Sequence, residues 1–299
     1  MAGDCILIEL EHPDCILIDC GYKTTYNTEL RPLLLRLNAE GYRISLMIIS
    51  HIDRDHIEGA VHFLRENGDA EIPAIIPVDE IWINGFFNTL FPRLEFKHRE
   101  IDELSLEERK MLSDKLKSLK MSFPDEGYIS AAQCKALERL CVQNGYRVNC
   151  SCPDRIVKRS AMRYSEVATN RISIAGCQIA ILNPGEPQLE ALSRELDREM
   201  IRWFGRDYKI QQSDEFTQLF ELLMELYEEP TSSEPIMAMS ANLKSWLGTS
   251  SLTPMNAVNR SSIVVEIIYH GRNMLFTGDG ESADWVEFLA PIYDLIKIS

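Results

Sequence analysis

The stretch Ile48-Ile49-Ser50-His51-Ile52-Asp53-Arg54-Asp55-His56-Ile57-Glu58-Gly59 decides how the rest of the chain is interpreted. Its apolar start predicts a buried strand, and four metal-ligand side chains follow at the strand end: His51, Asp53, Asp55 and His56. In an extended chain His51 and Asp53 point to the same side. The turn into a helix, predicted to start near Glu58, brings Asp55 and His56 round from another direction. Imidazole and carboxylate ligands suit zinc, manganese or iron, so this loop is predicted to serve two metal ions.

Composition describes a globular, acidic chain. Its 299 residues are 45% hydrophobic, and its net charge is −15. A net negative charge disfavours sequence-independent binding to duplex nucleic acid, whose backbone is also negative. No apolar run reaches the length of about 18 residues that a membrane span needs, and Met1–Asp4 has no signal-peptide pattern. We therefore expect a cytoplasmic protein with no membrane partner and with reduced thiols.

Two side-chain clusters outside the loop are interpreted as structural. The basic residues Arg155, Lys158, Arg159 and Arg163 favour a solvated face over a nucleic-acid patch. Cys150 and Cys152 form only a CxC pair, and a zinc site on them is the less favoured alternative.

The N-terminal third predicts alternating strands and helices. Runs at Cys5–Leu10 and Cys15–Asp19 form a hairpin, Thr28–Glu40 is a helix, Leu46–Ser50 is a strand, and Glu58–Asn67 is a second helix. This β-β-α-β-α order is typical of a layered α/β fold. The hairpin ends in Asp19-Cys20-Gly21, where Asp19 either caps the turn or orients metal ligands from behind.

The remaining elements are predicted from periodicity and from turn residues. Strands are expected at Glu80–Ile83, Arg171–Ala175, Gln178–Leu182, Ser261–Tyr269, Asn273–Thr277 and Leu295–Ile298. Helices are expected at Leu106–Leu119, from a capping box at Ser130 to Val142, from Pro187 to Phe204, at Asp214–Glu228 and at Ala283–Leu289. The stretch Gly248–Asn259 is predicted to be a mobile loop. Another acid, Asp279, follows a strand and is flanked by glycines.

With these motifs placed, the chain resembles the metallo-β-lactamase fold, and in particular the branch similar to the hydrolase domain of bacterial DNA-uptake channel proteins. Four stretches carry the resemblance: Asp19-Cys20-Gly21, Ser50-His51-x-Asp53-x-Asp55-His56, Asn259-Arg260-Ser261-Ser262 and Phe276-Thr277-Gly278-Asp279. The implied fold is an αββα sandwich of two mixed β-sheets with helices outside. We expect one domain over residues 1–299, with helical insertions at about 84–170 and 187–256.

The resemblance also implies a ligand set for two divalent metals, zinc or manganese. It assigns His51 and Asp53 to the first metal, Asp55 and His56 to the second, and Asp279 to a bridge. Asn183 stands where the family has a further histidine, and a last histidine is expected beyond Asp294–Ser299, which implies a chain truncated at its C-terminus. Asp19, Asn183 and Asn259 are assigned to the second shell or to substrate binding.

The resemblance implies a metal-dependent hydrolase. The favoured activity is that of a phosphodiesterase or nuclease, in which two metals activate the attacking water. Asp55 would orient that water or take its proton. Aspartate in place of a second histidine shifts the preference towards manganese or magnesium. Two alternatives remain open: a degenerate binding or regulatory subunit of a multi-protein system, such as a phage-defence system, and a hydrolase of small esters, thioesters or lactones.

Overall fold

The computed structural model describes residues 3–89, 105–107, 110–111, 126–161, 163–204, 256–281 and 284. The strands in these ranges are β1 (Ile6–Glu9), β2 (Asp14–Ile18), β3 (Arg43–Ile48), β4 (Ile81–Trp82), β5 (Ile172–Ile174), β6 (Cys177–Asn183), β7 (Val264–Tyr269) and β8 (Arg272–Phe276). The helices are α1 (Lys23–Thr25), α2 (Arg31–Ala39), α3 (Arg54–Asn67), α4 (Phe86–Thr89), α5 (Glu126–Gln143), α6 (Tyr164–Thr169), α7 (Glu186–Phe204) and α8 (Ala257–Arg260). A π-helical segment, Tyr26–Leu30, joins α1 to α2.

Among the described residues the strands form two four-stranded sheets. The first has the order β1-β2-β3-β4, with β1 antiparallel to β2 and the other neighbours parallel. The second has the order β5-β6-β7-β8 and is antiparallel throughout. The fold class is therefore the predicted α/β sandwich, although only the first sheet is mixed. Tight turns join β5 to β6 and β7 to β8, which makes each of these two pairs an antiparallel hairpin.

The two sheets pack face to face because successive side chains along a strand point to opposite faces. One buried cluster lies between the sheets and includes Ile16, Ile18, Leu46 and Ile48 of the first sheet with Ile179, Ile181, Val265 and Ile267 of the second. The other face of the first sheet packs on helices, through residues such as Cys15, Leu17, Met47, Leu34, Ile57 and Leu137. The outer face of the second sheet, with Ala180, Leu182 and Val264, packs on Val167 of α6. The layers are therefore helix, sheet, sheet and helix.

Two predicted helix starts are wrong. Helix α3 begins at Arg54 instead of near Glu58, so Asp55 and His56 lie in its first turn and not in a loop. Helix α5 begins at Glu126, upstream of the supposed capping box at Ser130. In α3 the polar residues Asp55 and His56 precede the apolar pattern, so periodicity alone does not place them in the helix.

Several predictions lie wholly or largely outside the described residues. They are the helices at Leu106–Leu119, Asp214–Glu228 and Ala283–Leu289, the loop at Gly248–Asn259, the strand at Leu295–Ile298 and the expected truncation. The single domain with two insertions stays a prediction. Among the described helices, none combines the length and the apolarity that a membrane span requires.

Candidate metal centre

The candidate site forms where the ends of β3 and β8 meet. Beyond β3, the carbonyl of Ser50 accepts a hydrogen bond from the N–H of Ile263 at 2.7 Å, which joins the start of β7 to the predicted metal loop. Beyond β8, Gly278 has a φ of 48°, and a Cβ there would lie 3.0 Å from the Ser50 side chain. The positive φ and the close approach to Ser50 both favour glycine at this position. This close approach brings Asp279 to the loop that carries His51 and His56.

Three predicted ligands come together in a compact group. His51, His56 and Asp279 each offer one ligand atom, and these atoms all lie within 4.8 Å of one another. One carboxylate oxygen of Asp279 lies 3.9 Å from Nε2 of His51, and the other lies 3.8 Å from Nε2 of His56. These distances are too long for hydrogen bonds. They are short enough for one ion to span, because metal–ligand bonds to nitrogen and oxygen are about 2.0–2.2 Å long.

Asp19 orients both histidines by hydrogen bonds, directly to His56 and through Ser50 to His51. Its side chain is almost fully buried, and one of its carboxylate oxygens accepts a hydrogen bond from the N–H of Ser50 at 2.8 Å. The other oxygen accepts from the Ser50 hydroxyl at 2.6 Å and from Nδ1 of His56 at 2.9 Å. Of the two readings left open by the sequence, orientation of the ligands from behind is the one that these contacts favour.

The hydrogen-bond donors in this cluster determine which nitrogen of His51 is unprotonated. The Ser50 hydroxyl has one proton, which it donates to Asp19, so its 3.0 Å contact with Nδ1 of His51 requires a proton on that nitrogen. Neutral His51 therefore presents Nε2 without a proton. This atom is buried and has no hydrogen-bond partner among the described residues. It faces carboxylate oxygens of Asp53 and Asp279, which are also hydrogen-bond acceptors. A divalent cation between them would bind both the nitrogen lone pair and the carboxylate oxygens.

Electrostatics make the two histidines different. Burial, reinforced by the charge of His56, lowers the pKa of His51 well below its ordinary value, so the ring is neutral. Burial also acts to lower the pKa of His56, but the hydrogen bond to Asp19 and the charges of Asp19, Asp55 and Asp279 raise it to about 9. In the metal-free protein His56 is thus a cation among carboxylates, in the place that a metal charge would take.

The carboxyl groups of the site repel one another. Burial raises the pKa of Asp279, and the charge of His56 opposes this effect, whereas the charges of Asp55, Asp4 and Asp19 add to it. Burial likewise raises the pKa of Asp19 against its hydrogen bonds to His56 and Ser50. Such a concentration of acidic groups favours a bound divalent cation.

Asp53 and Asp55 flank the group on its more exposed side. One oxygen of Asp53 lies 3.7 Å from Nε2 of His51, and one oxygen of Asp55 lies 3.8 Å from Nε2 of His56. Their side chains are 29% and 43% exposed. Asp53 occupies the N-cap position of α3, yet its side chain makes no capping hydrogen bond. Both carboxylates are therefore beside the histidines to which the resemblance assigns them, and their ligation stays a prediction.

Asn183 is the last residue of β6, an inner strand of the second sheet, and Asn259 lies in α8, shortly before β7. Asn183 is fully buried, and its Nδ2 donates to the carbonyls of Arg260 and Ser262 at 2.9 and 2.8 Å. These contacts fix the amide, so its Oδ1 points the other way and has no partner among the described residues. Oδ1 of Asn259 is also buried and unpaired within the described part of the chain. Their assignment to the second shell or to substrate binding stays a prediction.

The structure also identifies supporting residues that sequence reasoning missed. Ser50 links Asp19 to both histidines. Arg260 forms a bidentate ion pair with Asp284, which also accepts from Gln188 of α7, and thereby anchors the turn that bears Asp279. The serine before His51 was part of the recognised motif, so a signal for it existed. The Arg260–Asp284 pair has no local sequence signal.

Taken together, the donor set fits a divalent metal. A bare, buried imidazole nitrogen, a second imidazole held by Asp19, and a carboxylate that spans both are ligands typical of zinc and of manganese. The second imidazole is oriented by a carboxylate, as metal-bound histidines generally are. The number of metals is not fixed by this group.

Comparison with known proteins agrees with this chemistry. Residues 1–119 match the family model described as the metallo-beta-lactamase superfamily. The searches of curated proteins and of solved structures gave no significant match. The matched part covers β1 to β4 and the whole metal loop, whereas Asp279 lies beyond it. In sequence, residues 1–119 are thus similar to the metallo-beta-lactamase superfamily.

Proposed function

We propose that this protein is a metal-dependent hydrolase of phosphodiesters, acting on a nucleic acid or on a smaller phosphodiester. The observation that carries the proposal is the group formed by His51, His56 and Asp279, in which a bare imidazole nitrogen faces carboxylate oxygens. The metallo-beta-lactamase superfamily match over residues 1–119 supports a hydrolytic reaction.

The balance of ligands supports a phosphodiester substrate. Asp53, Asp55 and Asp279 surround two histidines, and hard oxygen ligands favour manganese or magnesium over zinc. Helix α3 starts at the site, so the positive end of its dipole faces an incoming anion. The net charge of −15 disfavours long duplex nucleic acid. We therefore infer a single-stranded or small phosphodiester substrate.

The residues of the chain have separable tasks in this reaction. A bound divalent metal supplies Lewis acidity and lowers the pKa of a coordinated water. His51, His56 and Asp279 would hold the metal, and Asp19 and Ser50 orient the two imidazole rings so that Nε2 of each would face it. Asp55, with its partly exposed carboxylate beside His56, orients the attacking water and accepts its proton.

Metal binding and turnover of the full chain test this proposal. Titration calorimetry with Mn²⁺ and Zn²⁺ measures metal affinity, and bis-(p-nitrophenyl) phosphate and single-stranded DNA report phosphodiester hydrolysis. We expect Mn²⁺-dependent turnover that Asp279→Asn and His51→Ala abolish. His270→Ala is the matched control, because His270 lies in the exposed β7–β8 turn and pairs with Glu11.

The alternatives give different results in the same assays. Metal binding with hydrolysis of p-nitrophenyl acetate or a lactone, but not of phosphodiesters, would favour the small-ester hydrolase. If His51→Ala and Asp55→Ala left cellular activity intact, the chain would act as a binding or regulatory subunit with a protein partner. Absence of metal binding and of turnover would contradict the proposal.

A further inference from the structure

Ser262 lies next to the turn at residues 278–280, which contains Asp279. Its side chain is fully buried. Its Cβ is 3.4 Å from the position that a Cβ on Gly278 would take, and 3.6 Å from the corresponding position on Gly280. The side chain therefore lies close to the residues on both sides of Asp279.

The backbone of Ser262 is held firmly in this position. Its N–H donates to the carbonyl of Asn259 at 3.0 Å, and its carbonyl accepts from Nδ2 of Asn183 at 2.8 Å. The next residue, Ile263, donates its N–H to Ser50 on the metal loop. The serine side chain consequently has a fixed origin, from which only rotation about its Cα–Cβ bond redirects the hydroxyl.

The hydroxyl of Ser262 is unpaired within the described part of the chain. Its oxygen is buried and makes no hydrogen bond there. The neighbouring Ser261 is also buried, yet its hydroxyl donates to the carbonyl of Val258 at 2.6 Å. A buried hydroxyl without a partner is unfavourable, so it needs a reason in function. The adjacent turn carries Asp279, whose carboxylate would change its environment when a metal binds.

We propose that Ser262 is a positioning residue that donates a hydrogen bond to the Asp279 carboxylate once that carboxylate binds the metal. The proposal rests on the proposed function, because it requires a metal at His51, His56 and Asp279. A donor beneath a ligating carboxylate limits its rotation and raises metal affinity. The hydroxyl is too deeply buried to contact substrate, which separates this role from catalysis.

Two serine variants distinguish positioning from packing. For Ser262→Ala we expect Mn²⁺ affinity, measured by titration calorimetry, to fall about tenfold. The urea midpoint in excess chelator should stay the same or rise, because the hydroxyl has no hydrogen-bond partner among the described residues. For Ser261→Ala we expect the reverse: a lower urea midpoint, since a hydrogen bond is lost, and Mn²⁺ affinity within about twofold of wild type. Ser262→Cys, a near-isosteric weak donor, should give an intermediate affinity.

The outcomes separate this proposal from the proposed function. If the wild type and Ser262→Ala bind Mn²⁺ equally, or if Ser262→Ala behaves like Ser261→Ala, Ser262 does not position Asp279, and the hydrolase proposal stands. If Ser262→Ala weakens binding but the wild type hydrolyses no phosphodiester, the positioning role holds and the hydrolase proposal fails. A wild type that binds no divalent metal overturns both.

Discussion

At the scale of single residues, Asp19 determines the protonation of the site although it does not belong to the ligand group. It accepts from Ser50 and from Nδ1 of His56, and these two contacts leave Nε2 of each histidine for the metal. A carboxylate accepts only, whereas a carboxamide also donates. The identity of this one side chain therefore controls whether both imidazoles present a lone pair.

Asp19→Asn should weaken metal binding without unfolding the protein. The new amide N–H can face Nδ1 of His56, which would move the ring proton to Nε2 and block the metal. We expect Mn²⁺ affinity to fall about 10- to 100-fold, measured by titration calorimetry. Asp14→Asn is the control, because Asp14 accepts from Ser45 and Arg43 away from the site. Equal affinities for Asp19→Asn and wild type would refute the proton-positioning role.

Metal binding should release a proton from His56. The pKa of His56 is raised from 6.5 to about 9, so its proton stabilises the metal-free fold fully below about pH 6.5 and this contribution is lost as the pH rises through 9. Below pH 9 a metal competes with that proton, and its affinity should rise about tenfold per pH unit until the group has titrated. Calorimetry in buffers of different ionisation enthalpy counts the released protons. A pH-independent affinity between 6.5 and 9 would contradict this assignment.

At the scale of secondary structure, helix α3 and the Asp19 segment are in direct backbone contact. The N–H of Gly59 donates to the carbonyl of Gly21 at 2.7 Å, and the N–H of Cys20 donates to the carbonyl of His56 at 3.1 Å. A Cβ on Gly59 would lie 2.2 Å from the carbonyl oxygen of Cys20. Glycine in this helix therefore sets the distance between Asp19 and the histidine that it orients.

Gly59→Ala should separate these two segments. Alanine is ordinarily the better helix former, but here we expect a loss of about 3 kcal/mol in the free energy of unfolding, measured by urea denaturation, together with weaker metal binding. Gly145→Ala is the matched control, since its φ of 72° strains alanine but nothing lies within 4 Å. It should cost about 1 kcal/mol and leave metal affinity unchanged. A Gly59→Ala protein as stable as wild type would show that the contact relaxes freely.

The elements that could be predicted from the sequence are those with a local periodic signal. The β1–β2 hairpin, β3, and the helix from Glu186 to Phe204 follow the predicted positions within a few residues. The start of α3 could not be predicted, because Asp55 and His56 are polar and their place in a helix depends on packing against Asp19 and Cys20. The same limit applies to the site. The candidate ligands His51, His56 and Asp279 were recognisable from the sequence. The contacts of Ser50, Ser262 and the Arg260–Asp284 pair join distant segments and could not be predicted.

At the scale of the whole molecule, the candidate centre joins the two sheets. His51 and His56 follow β3 of the first sheet, and Asp279 follows β8 of the second. A ligand that binds only the folded state stabilises it by mass action, by about 2.7 kcal/mol at a free concentration 100 times its Kd. A metal held between the sheets should therefore stabilise the whole sandwich instead of one local turn.

Removing the metal should lower the melting temperature of the entire protein. For a chain of this size we expect a decrease of roughly 5 °C when chelator is added to protein in excess Mn²⁺, followed by calorimetry or circular dichroism. The metal-free and metal-bound proteins should each melt in one transition. Asp279→Asn should show almost no chelator-dependent difference, because the second sheet then lacks its ligand. A wild-type shift no larger than that of Asp279→Asn would argue against a metal between the sheets.

The position of Asp279 near the far end of the chain has a consequence for the timing of metal acquisition in the cell. At ordinary rates of protein synthesis, His51 and His56 leave the ribosome on the order of tens of seconds before Asp279 does. During that interval the nascent chain carries two histidines without the carboxylate that spans them. We therefore expect stable loading of a metal to follow the synthesis of β8 and its pairing with β7, so that the folded sandwich binds the metal and the nascent chain does not.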